Sequence, residues 1–387
     1  DQDLYIVSGS NEYLDNSPQY QDRLYHNDGK GNFSDATHRL PKITHSGSCI
    51  RAVDFDQDGD LDLFRGGRLV PTQFPLPGDS YLMRNDNGSF KDVSGDLAPE
   101  LRKIGMVTDA QWADVDGDKW PDLVLVGELM PITVFKNQRA KSFEIHPTST
   151  PANSDGLWNC LSGADFDKDG DIDFVAGNLG LNTRYRISET TPFSVYAGDY
   201  DNNGRWDAIP TYYLKGIEYP IPARDILLYQ IPSMRAKFKN YIDYSQATFR
   251  DVLTEDEINN KSIVKKAKIQ QSVYLENDGK GNFTMQPLPA SAQWAPIQSF
   301  AIEDINHDGI ADVFAVGNAY DAEPVAGKYD AFMGLILLGD GKGKFNPKLY
   351  HQTGFLADGD CKDIQILNKK YVIVSKNAGS IDVFNIK

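Results

Sequence analysis

The chain has little that would direct it to a membrane, a nucleic acid or a redox centre. No apolar run approaches the roughly 18–20 residues of a membrane-spanning helix. Basic residues are in deficit: 39 Lys and Arg face 55 Asp and Glu, a formal charge of −16. That argues against a nucleic-acid partner, which calls for a basic face. Only three cysteines occur in 387 residues. Cys49 and Cys160 each lie five residues before an aspartate-rich stretch, and Cys361 sits in a similar short strand. The same slot elsewhere holds Asp109, Ser194 and Ser299. It therefore reads as a packing position for small side chains, and three free, buried thiols are expected. The six histidines show no zinc spacing. No Gly-x-Ser-x-Gly nucleophile elbow is present.

What the chain does have is a repeated nine-residue stretch. Its first copy is Asp54-Phe55-Asp56-Gln57-Asp58-Gly59-Asp60-Leu61-Asp62. Further copies run from Asp165 to Asp173, Asp199 to Asp207 and Asp304 to Asp312. A fifth, Asp114 to Asp122, keeps the acids but has Lys119 where the others have glycine. Oxygen-bearing side chains recur at positions 1, 3, 5 and 9. They are Asp54, Asp56, Asp58 and Asp62; Asp114, Asp116, Asp118 and Asp122; Asp165, Asp167, Asp169 and Asp173; Asp199, Asp201, Asn203 and Asp207; and Asp304, Asn306, Asp308 and Asp312. Position 7, held by Asp60, Trp120, Asp171, Arg205 and Ile310, offers a backbone carbonyl. Hard oxygen ligands on alternate residues of a tight turn suit Ca²⁺, which takes 6–8 oxygens. Glycine lets the chain turn back with a positive φ. An EF-hand needs a Glu at position 12 between helices, whereas position 12 here is Arg65, Leu125, Ala176, Pro210 or Ala315. Short apolar runs follow each loop, such as Leu61–Phe64 and Ile172–Ala176, and read as buried strands. Each stretch is thus expected to be a calcium-binding turn between two strands, about five sites in all. Five divalent ions would take the charge from −16 to −6, so much of the acidity is ligand acidity.

A second element alternates with the first. Leu24–Phe33 and Tyr274–Phe283 share an Asn-Asp-Gly-Lys-Gly-Asn-Phe core, with variants at Leu82–Phe90 and Leu337–Phe345. Such glycine turns between strand residues signal hairpins. An acidic-turn hairpin followed by a glycine-turn hairpin makes four short antiparallel strands. One such sheet cannot bury both faces, and radial stacking solves that, so the fold expected is an all-β propeller. First strands fall near Cys49, Val107, Cys160, Phe193, Gln298 and Cys361, and residues 1–45 add a truncated repeat, giving seven blades. Asp1-Gln2-Asp3-Leu4 aligns with Asp60-Leu61-Asp62-Leu63, so a mature or trimmed chain is expected. The Asp199 turn follows Asp165 by only 34 residues and could join outer strands of one blade, which leaves six or eight blades open. Residues 1–387 are read as one domain. Residues 222–268 break the β pattern with apolar residues at helical spacing, among them Ile226, Leu227, Met234 and Phe238, and a capping box at Thr254–Glu257. This helical insertion carries nine Lys/Arg against six Asp/Glu, +3, while the rest carries −19. It reads as a cap packed on one blade or as a docking surface for a protein partner.

The Asp-x-Asp-x-Asp-Gly-x-x-Asp turns resemble the FG-GAP or VCBS repeats of propellers of the integrin α-subunit type. A finer resemblance is to the propeller portion of bacterial, Bacteroidetes-type proteins that carry an ASPIC/UnbV domain. It is carried by Gly66–Pro71, Gly127–Ile132, Gly177–Asn182, Tyr329–Ala331 and the stretch opening at Arg224-Asp225. The ASPIC/UnbV domain itself is not recognisable. The resemblance implies an exported protein at the bacterial cell surface or in the periplasm, calcium in the blade turns, and a binding or scaffold role.

If the acidic turns all lie on one face, the opposite face gathers the loops after each second strand. There the sequence places Arg65, Arg68, Glu128, Asn178, Asn182, Arg184, Asn318, Tyr320 and Asp321, with His45, Trp158 and Trp294 between blades. Such groups around a central funnel suit a glycan or a peptide carboxylate. Turn chemistry and inter-blade packing would explain the same residues without a ligand. The leading expectation is a non-enzymatic binding module. The alternative is a polysaccharide lyase or hydrolase, with Arg65, Glu128, Arg184 and Tyr320 as the most suspicious group.

Overall fold

The computed structural model describes residues 1–146, 151–322 and 327–386. The described chain forms seven sheets, in which every strand pair is antiparallel. Sheet I holds Leu4–Ile6, Arg23–Asn27 and Phe33–Asp35. Sheet II holds Gly47–Val53, Asp62–Gly67, Tyr81–Asp86 and Ser89–Asp92. Sheet III holds Met106–Ala113, Asp122–Met130, Thr133–Asn137 and Phe143–Ile145, with the two-residue strand Gly156–Leu157 added beside its second strand. Sheet IV holds Cys160–Ala164, Asp173–Gly177, Val273–Asn277 and Phe283–Pro287. Sheet VI holds Ile297–Glu303, Asp312–Gly317, Leu335–Gly339 and Phe345–Leu349, and sheet VII holds Cys361–Leu367, Tyr371–Lys376 and Asp382–Asn385.

The first strands of sheets II, III, IV, VI and VII lie side by side in that order. The second strands are buried along their whole length, from Asp62 to Gly67, Asp173 to Gly177 and Asp312 to Gly317. They are covered on both faces by neighbouring sheets, which is why they read as continuous apolar runs and not as alternating ones. The cysteine slot is small for a related reason. A Cβ on Gly66 would meet Cys49 Sγ at 2.7 Å, and one on Gly177 would meet Cys160 Sγ at 2.6 Å. Each thiol lies against a glycine of the adjacent second strand. All three cysteines are free and buried.

Sheet V departs from the repeat. Its strands run in the order Ile217–Pro220, Asp207–Leu214, Phe193–Gly198 and Ile263–Ala267. All four lie in sequence between the second and third strands of sheet IV. The strand opening at Phe193 is paired on both sides, unlike the first strands of the other sheets. The Asp199 turn therefore joins two strands of a separate sheet and not outer strands of a shared blade. Residues 224–261 supply the helical elements, including Arg224–Gln230, Tyr241–Ser245 and Phe249–Val252. Leu227, Leu228, Ile231, Met234, Phe238, Phe249 and Val252 bury themselves against Tyr196, Tyr200 and Ile209 of this region. Thr254 and Glu257 exchange the reciprocal cap bonds expected of them, but they open one short turn, Glu257–Lys261. Ile263–Ala267, at the end of the helical stretch, is strand, paired with Phe193–Ala197.

Asparagines at the end of the third strand stitch neighbouring sheets. Asn137 Nδ2 donates to the Phe55 carbonyl in the turn of sheet II at 2.9 Å. Asn277 Nδ2 donates to the Val115 carbonyl in the turn of sheet III, also at 2.9 Å. Both amides are buried. Replacing Asn277 by alanine would leave that carbonyl unsatisfied, so Asn277→Ala is expected to destabilise by about 1–3 kcal/mol. Urea unfolding measures this, and a loss below about 0.5 kcal/mol would show that water takes over the bond.

Candidate functional site

The acidic turns share one construction. The aspartate at position 1 accepts backbone N–H bonds from its own turn: Asp58 and Gly59 donate to Asp54 at 3.1 and 3.0 Å, and Asn203 and Gly204 to Asp199 at 2.9 and 2.9 Å. The side chain at position 5 accepts from the N–H of position 7, as from Asp60 to Asp58 at 2.9 Å and Arg205 to Asn203 at 2.7 Å. Two residues per turn are left-handed. Position 6 is glycine in four copies, with φ from 78° to 100°. Position 4 is Gln57, Lys168, Asn202 or His307, with φ of 59°, 66°, 58° and 60°. In the fifth copy the glycine has moved to position 4, Gly117, and Lys119 takes φ 71° at position 6. The backbone path is kept although the motif is broken.

Position 9 is the buried hub. One oxygen of each aspartate accepts the N–H of position 2: Phe55 to Asp62 at 3.1 Å, Val115 to Asp122 at 3.2 Å, Phe166 to Asp173 at 3.3 Å, Tyr200 to Asp207 at 3.2 Å and Ile305 to Asp312 at 2.9 Å. The other oxygen reaches the third strand, where Asn85, Asn137, Asn277 and Gly339 each donate at 2.8 Å to Asp62, Asp122, Asp173 and Asp312. Asp3 takes the matching bond from Asn27 at 2.9 Å, as its alignment with Asp62 requires.

Three acidic oxygens converge within 4.8 Å in each of four turns: Asp54, Asp56 and Asp58; Asp114, Asp116 and Asp122; Asp165, Asp167 and Asp173; and Asp199, Asp201 and Asp207. The Asp304 turn has Asn306 at position 3, and its amide donates to Asp308 at 2.8 Å. Within the clusters, Asp56 Oδ1 and Asp201 Oδ1 are buried and without a hydrogen-bond partner, as is Asp171 Oδ1 at position 7 of the Asp165 turn. Buried, unpartnered carboxylate oxygens in an all-oxygen donor set are what a bound hard cation would satisfy. The residues therefore fit a metal ion in these turns.

On the opposite face, the starts of the first strands and the ends of the second strands enclose a cavity of about 680 Å³. Five sheets contribute to its wall, through Ser48, Arg68, Thr108, Glu128, Asn159, Leu179, Gln298, Asp321 and Lys362 among others. Arg68 and Glu128 form a two-pronged ion pair across the rim, Nε to Oε2 at 3.1 Å and Nη2 to Oε1 at 2.6 Å. A second cavity of about 400 Å³ is lined by the first strands, with Arg51, Asp109, Gln111, Ser299 and Asp363 in its wall. Asp109 is buried, ion-paired to Arg51, and accepts the Leu161 N–H at 3.0 Å.

The expected ligand residues divide. Arg68 and Glu128 line the larger cavity. Four others are inside the protein and are not available to a ligand: Arg65, Trp158, Asn178 and Asn318 are 0, 0, 0 and 1% exposed. Arg65 is held by Asp22 at 2.8 Å and by the His45 carbonyl at 2.6 Å. Trp158 Nε1 donates to the Ser154 carbonyl at 2.8 Å, and Asn318 Nδ2 ties the carbonyls of Phe332 and Gly359, each at 2.7 Å. Asn178 Oδ1 accepts the N–H of Leu179 in its own loop and that of Leu157 beside sheet III. In sequence these resemble surface polar residues, because burial of a hydrogen-bonded polar group leaves no local signature. The remaining four are not among the residues lining that cavity. Arg184 lies over Tyr185 and Tyr212, and Lys328 over Tyr320. Trp294 is 43% exposed beside a small pocket that Phe332 and Tyr350 also line, and Asn182 is exposed. Among the described residues no hydrogen bond or ion pair joins any two of Arg65, Glu128, Arg184 and Tyr320. Sequence reasoning missed Asn159, Thr108, Gln298 and Lys362. Their signal is positional, since each stands at or beside the start of a first strand.

Residues 1–64 and 114–176 match the model of the FG-GAP-like repeat. No curated protein matches the chain. Among solved structures the chain is similar to an Agrocybe aegerita lectin described as recognising non-reducing terminal N-acetylglucosamine. The identity is 13%, over 89% of this chain and 79% of that one, with a TM-score of 0.31. It is also similar to the V. cholerae biofilm matrix protein Bap1, at 10% identity over 94% of this chain and 74% of that one, with a TM-score of 0.30. At these scores neither likeness bears on ligand or mechanism. No helix among the described residues is long and apolar enough to cross a membrane.

The position-9 carboxylates have a pH signature. Burial pushes them up, helped by the neighbouring aspartates and opposed by the backbone N–H bonds, to about 6 for Asp62, Asp173 and Asp207 and about 7 for Asp122. An unfolded aspartate titrates near 4, so without a cation the fold binds extra protons between about 4 and 7. That stabilisation is complete below about 4 and is lost as pH rises through about 7. Asp28, Asp35, Asp86, Asp251 and Asp278 are shifted down, and stay ionised throughout that rise above pH 5. Chelated protein is therefore expected to melt at a lower temperature at pH 8 than at pH 5.5. A Tm that holds level or rises over this interval, measured by calorimetry, would contradict the assignment.

Proposed function

We propose that the protein is a calcium-stabilised, extracellular β-propeller binding module whose ligand, a glycan, occupies the axial cavity. The observation that carries this reading is convergence. Five sheets place hydroxyl, amide and charged groups around one cavity of about 680 Å³, on the face away from the acidic turns. A cavity of that volume suits a short oligosaccharide. Its wall offers Ser48, Thr108, Asn159 and Gln298 for sugar hydroxyls, while Arg68 and Glu128 present both donors and acceptors at the rim. The sheets support a radial arrangement in which II, III, IV, VI and VII contribute adjacent inner strands and sheet V is a satellite carrying the helices. Sheet I adds a partial blade. The seven-blade reading from strand spacing is thereby replaced, in this proposal, by six radial blades and one appended sheet. The FG-GAP match and the Gly66–Pro71 and Gly127–Ile132 stretches support a relationship to exported bacterial propellers of the ASPIC/UnbV type.

In this reading Ca²⁺ is scaffold. Side chains at positions 1, 3, 5 and 9 and the carbonyl at position 7 would hold it, and the ion supplies the charge that cancels the crowded carboxylates. It does not take part at the opposite face.

Calcium bound to the fold and not to the unfolded chain adds about 2.7 kcal/mol per site at a hundredfold excess over Kd. Exhaustive chelation is expected to lower Tm by many degrees, and a melting curve unchanged by EDTA would sink the calcium assignment. On a glycan array the calcium-loaded protein is expected to retain a restricted set of oligosaccharides. Arg68→Ala should weaken retention at least tenfold without moving Tm by more than a few degrees, because the Arg68 side chain is 48% exposed. Retention that survives Arg68→Ala and Asn159→Ala together would place the ligand elsewhere.

A further inference from the structure

We infer that the Asp114–Asp122 turn carries its own cation, the ammonium of Lys136, and takes no calcium ion. This rests on reading the other acidic turns as calcium sites.

The turn looks competent by its acids. Asp114, Asp116 and Asp122 converge as closely as the acids of the other clusters. Its backbone is also intact, since Gly117 and Lys119 take the two left-handed positions that Gln57 and Gly59 take in sheet II. The difference is the charge that faces it. Lys136 lies on the third strand of sheet III, and the next residue, Asn137, donates its N–H to Asp122 Oδ1 at 2.8 Å. That bond holds the Lys136 backbone beside the turn. From there its Nζ forms an ion pair with Asp116, with only 18% of the Lys136 side chain and 14% of that of Asp116 exposed.

Among the described residues no other Lys or Arg forms an ion pair with an acid of these turns, although Lys168 Nζ lies near Gly309 of the Asp304 turn. The counterpart of Lys136 in sheet II is Arg84, whose charge is felt at Asp56 but whose ion pair is with Asp86, at 3.1 Å. In sheet IV it is Glu276, bonded by Gln286 at 2.7 Å, and in sheet VI it is Leu338. The third strand of sheet V follows its second by a tight hairpin and brings no residue to the turn in this way. The oxygens report the same contrast. At position 3, Asp56 and Asp201 each keep a buried Oδ1 with no partner, whereas Asp116 is engaged by Lys136. An ammonium in this place removes one carboxylate from the donor set and repels a divalent ion at close range. Sheet III also carries Glu128, one half of the ion pair at the axial rim. A turn whose charge is met in part by a lysine loses no ion from that wall when calcium is withdrawn.

Native mass spectrometry of the full chain in calcium counts bound ions directly. Asp165→Asn is expected to lower the count by one. Asp116→Asn is expected to leave it unchanged, and Lys136→Met to raise it by one. In EDTA, Lys136→Met should melt below the unaltered chain, because the acids have lost their counter-charge, and calcium should restore it. Lys136→Gln repeats the test if the Met variant does not fold. Loss of one ion from both Asp165→Asn and Asp116→Asn overturns the lysine assignment and leaves the calcium reading standing. An unaltered chain that binds no ion overturns both.

Discussion

A buried carboxylate at the ninth position of each acidic turn is the contact on which the architecture hangs. Its two oxygens face different ways, one to the N–H at the start of the turn and one to the N–H of the third strand. Asp62, Asp122, Asp173 and Asp312 thereby hold three strands of one sheet at a fixed spacing. Burying a charge in this way is unfavourable unless something nearby is positive. Protons, a divalent cation or a lysine can each meet that need; the converging acids of four turns fit the second, and in one of them Lys136 is paired with Asp116.

The same constraint separates the acidic turns from the larger cavity. With the turns committed to one face, the starts of the first strands come together on the other, and the cavity of about 680 Å³ forms there. Its wall is made by residues that are far apart in sequence and chemically unremarkable one by one, such as Asn159 and Thr108. Sheet V takes no part in that wall. It lies within the sequence of sheet IV, and its helices bury their apolar side chains on its own tyrosines and isoleucine. It is still tied to the row of inner strands, since Val195 and Ala267 pack with Met106 and Leu129 of sheet III.

Much of the fold was legible in the chain. The nine-residue period, the glycine-turn hairpins and the apolar runs located the acidic turns and the strands on either side of them, because strand alternation, turn chemistry and ligand spacing are local properties. The cysteine slot was legible for the same reason, as Cys49 and Cys160 share a register with Asp109, Ser194 and Ser299. Lys119 breaks the motif of the Asp114 turn, but the backbone path is kept, with glycine at position 4. The departure that matters there is Lys136, seventeen residues further on, which only the pairing of the third strand brings to the acids.

The candidate ligand residues show the limit most plainly. Arg65 and Arg68 are three residues apart and flank the same Gly66-Gly67 pair, yet one is sealed against Asp22 and the other reaches the cavity rim. Trp158, Asn178 and Asn318 were taken for surface groups and are interior ties. The sequence by itself determined the elements, their order and the face that gathers the acids, since these follow from short-range spacing. Only the tertiary structure decided which polar side chains are consumed in holding sheets together and which are left for a ligand. Burial is set by neighbours that come from other sheets, and no residue's own sequence context records them.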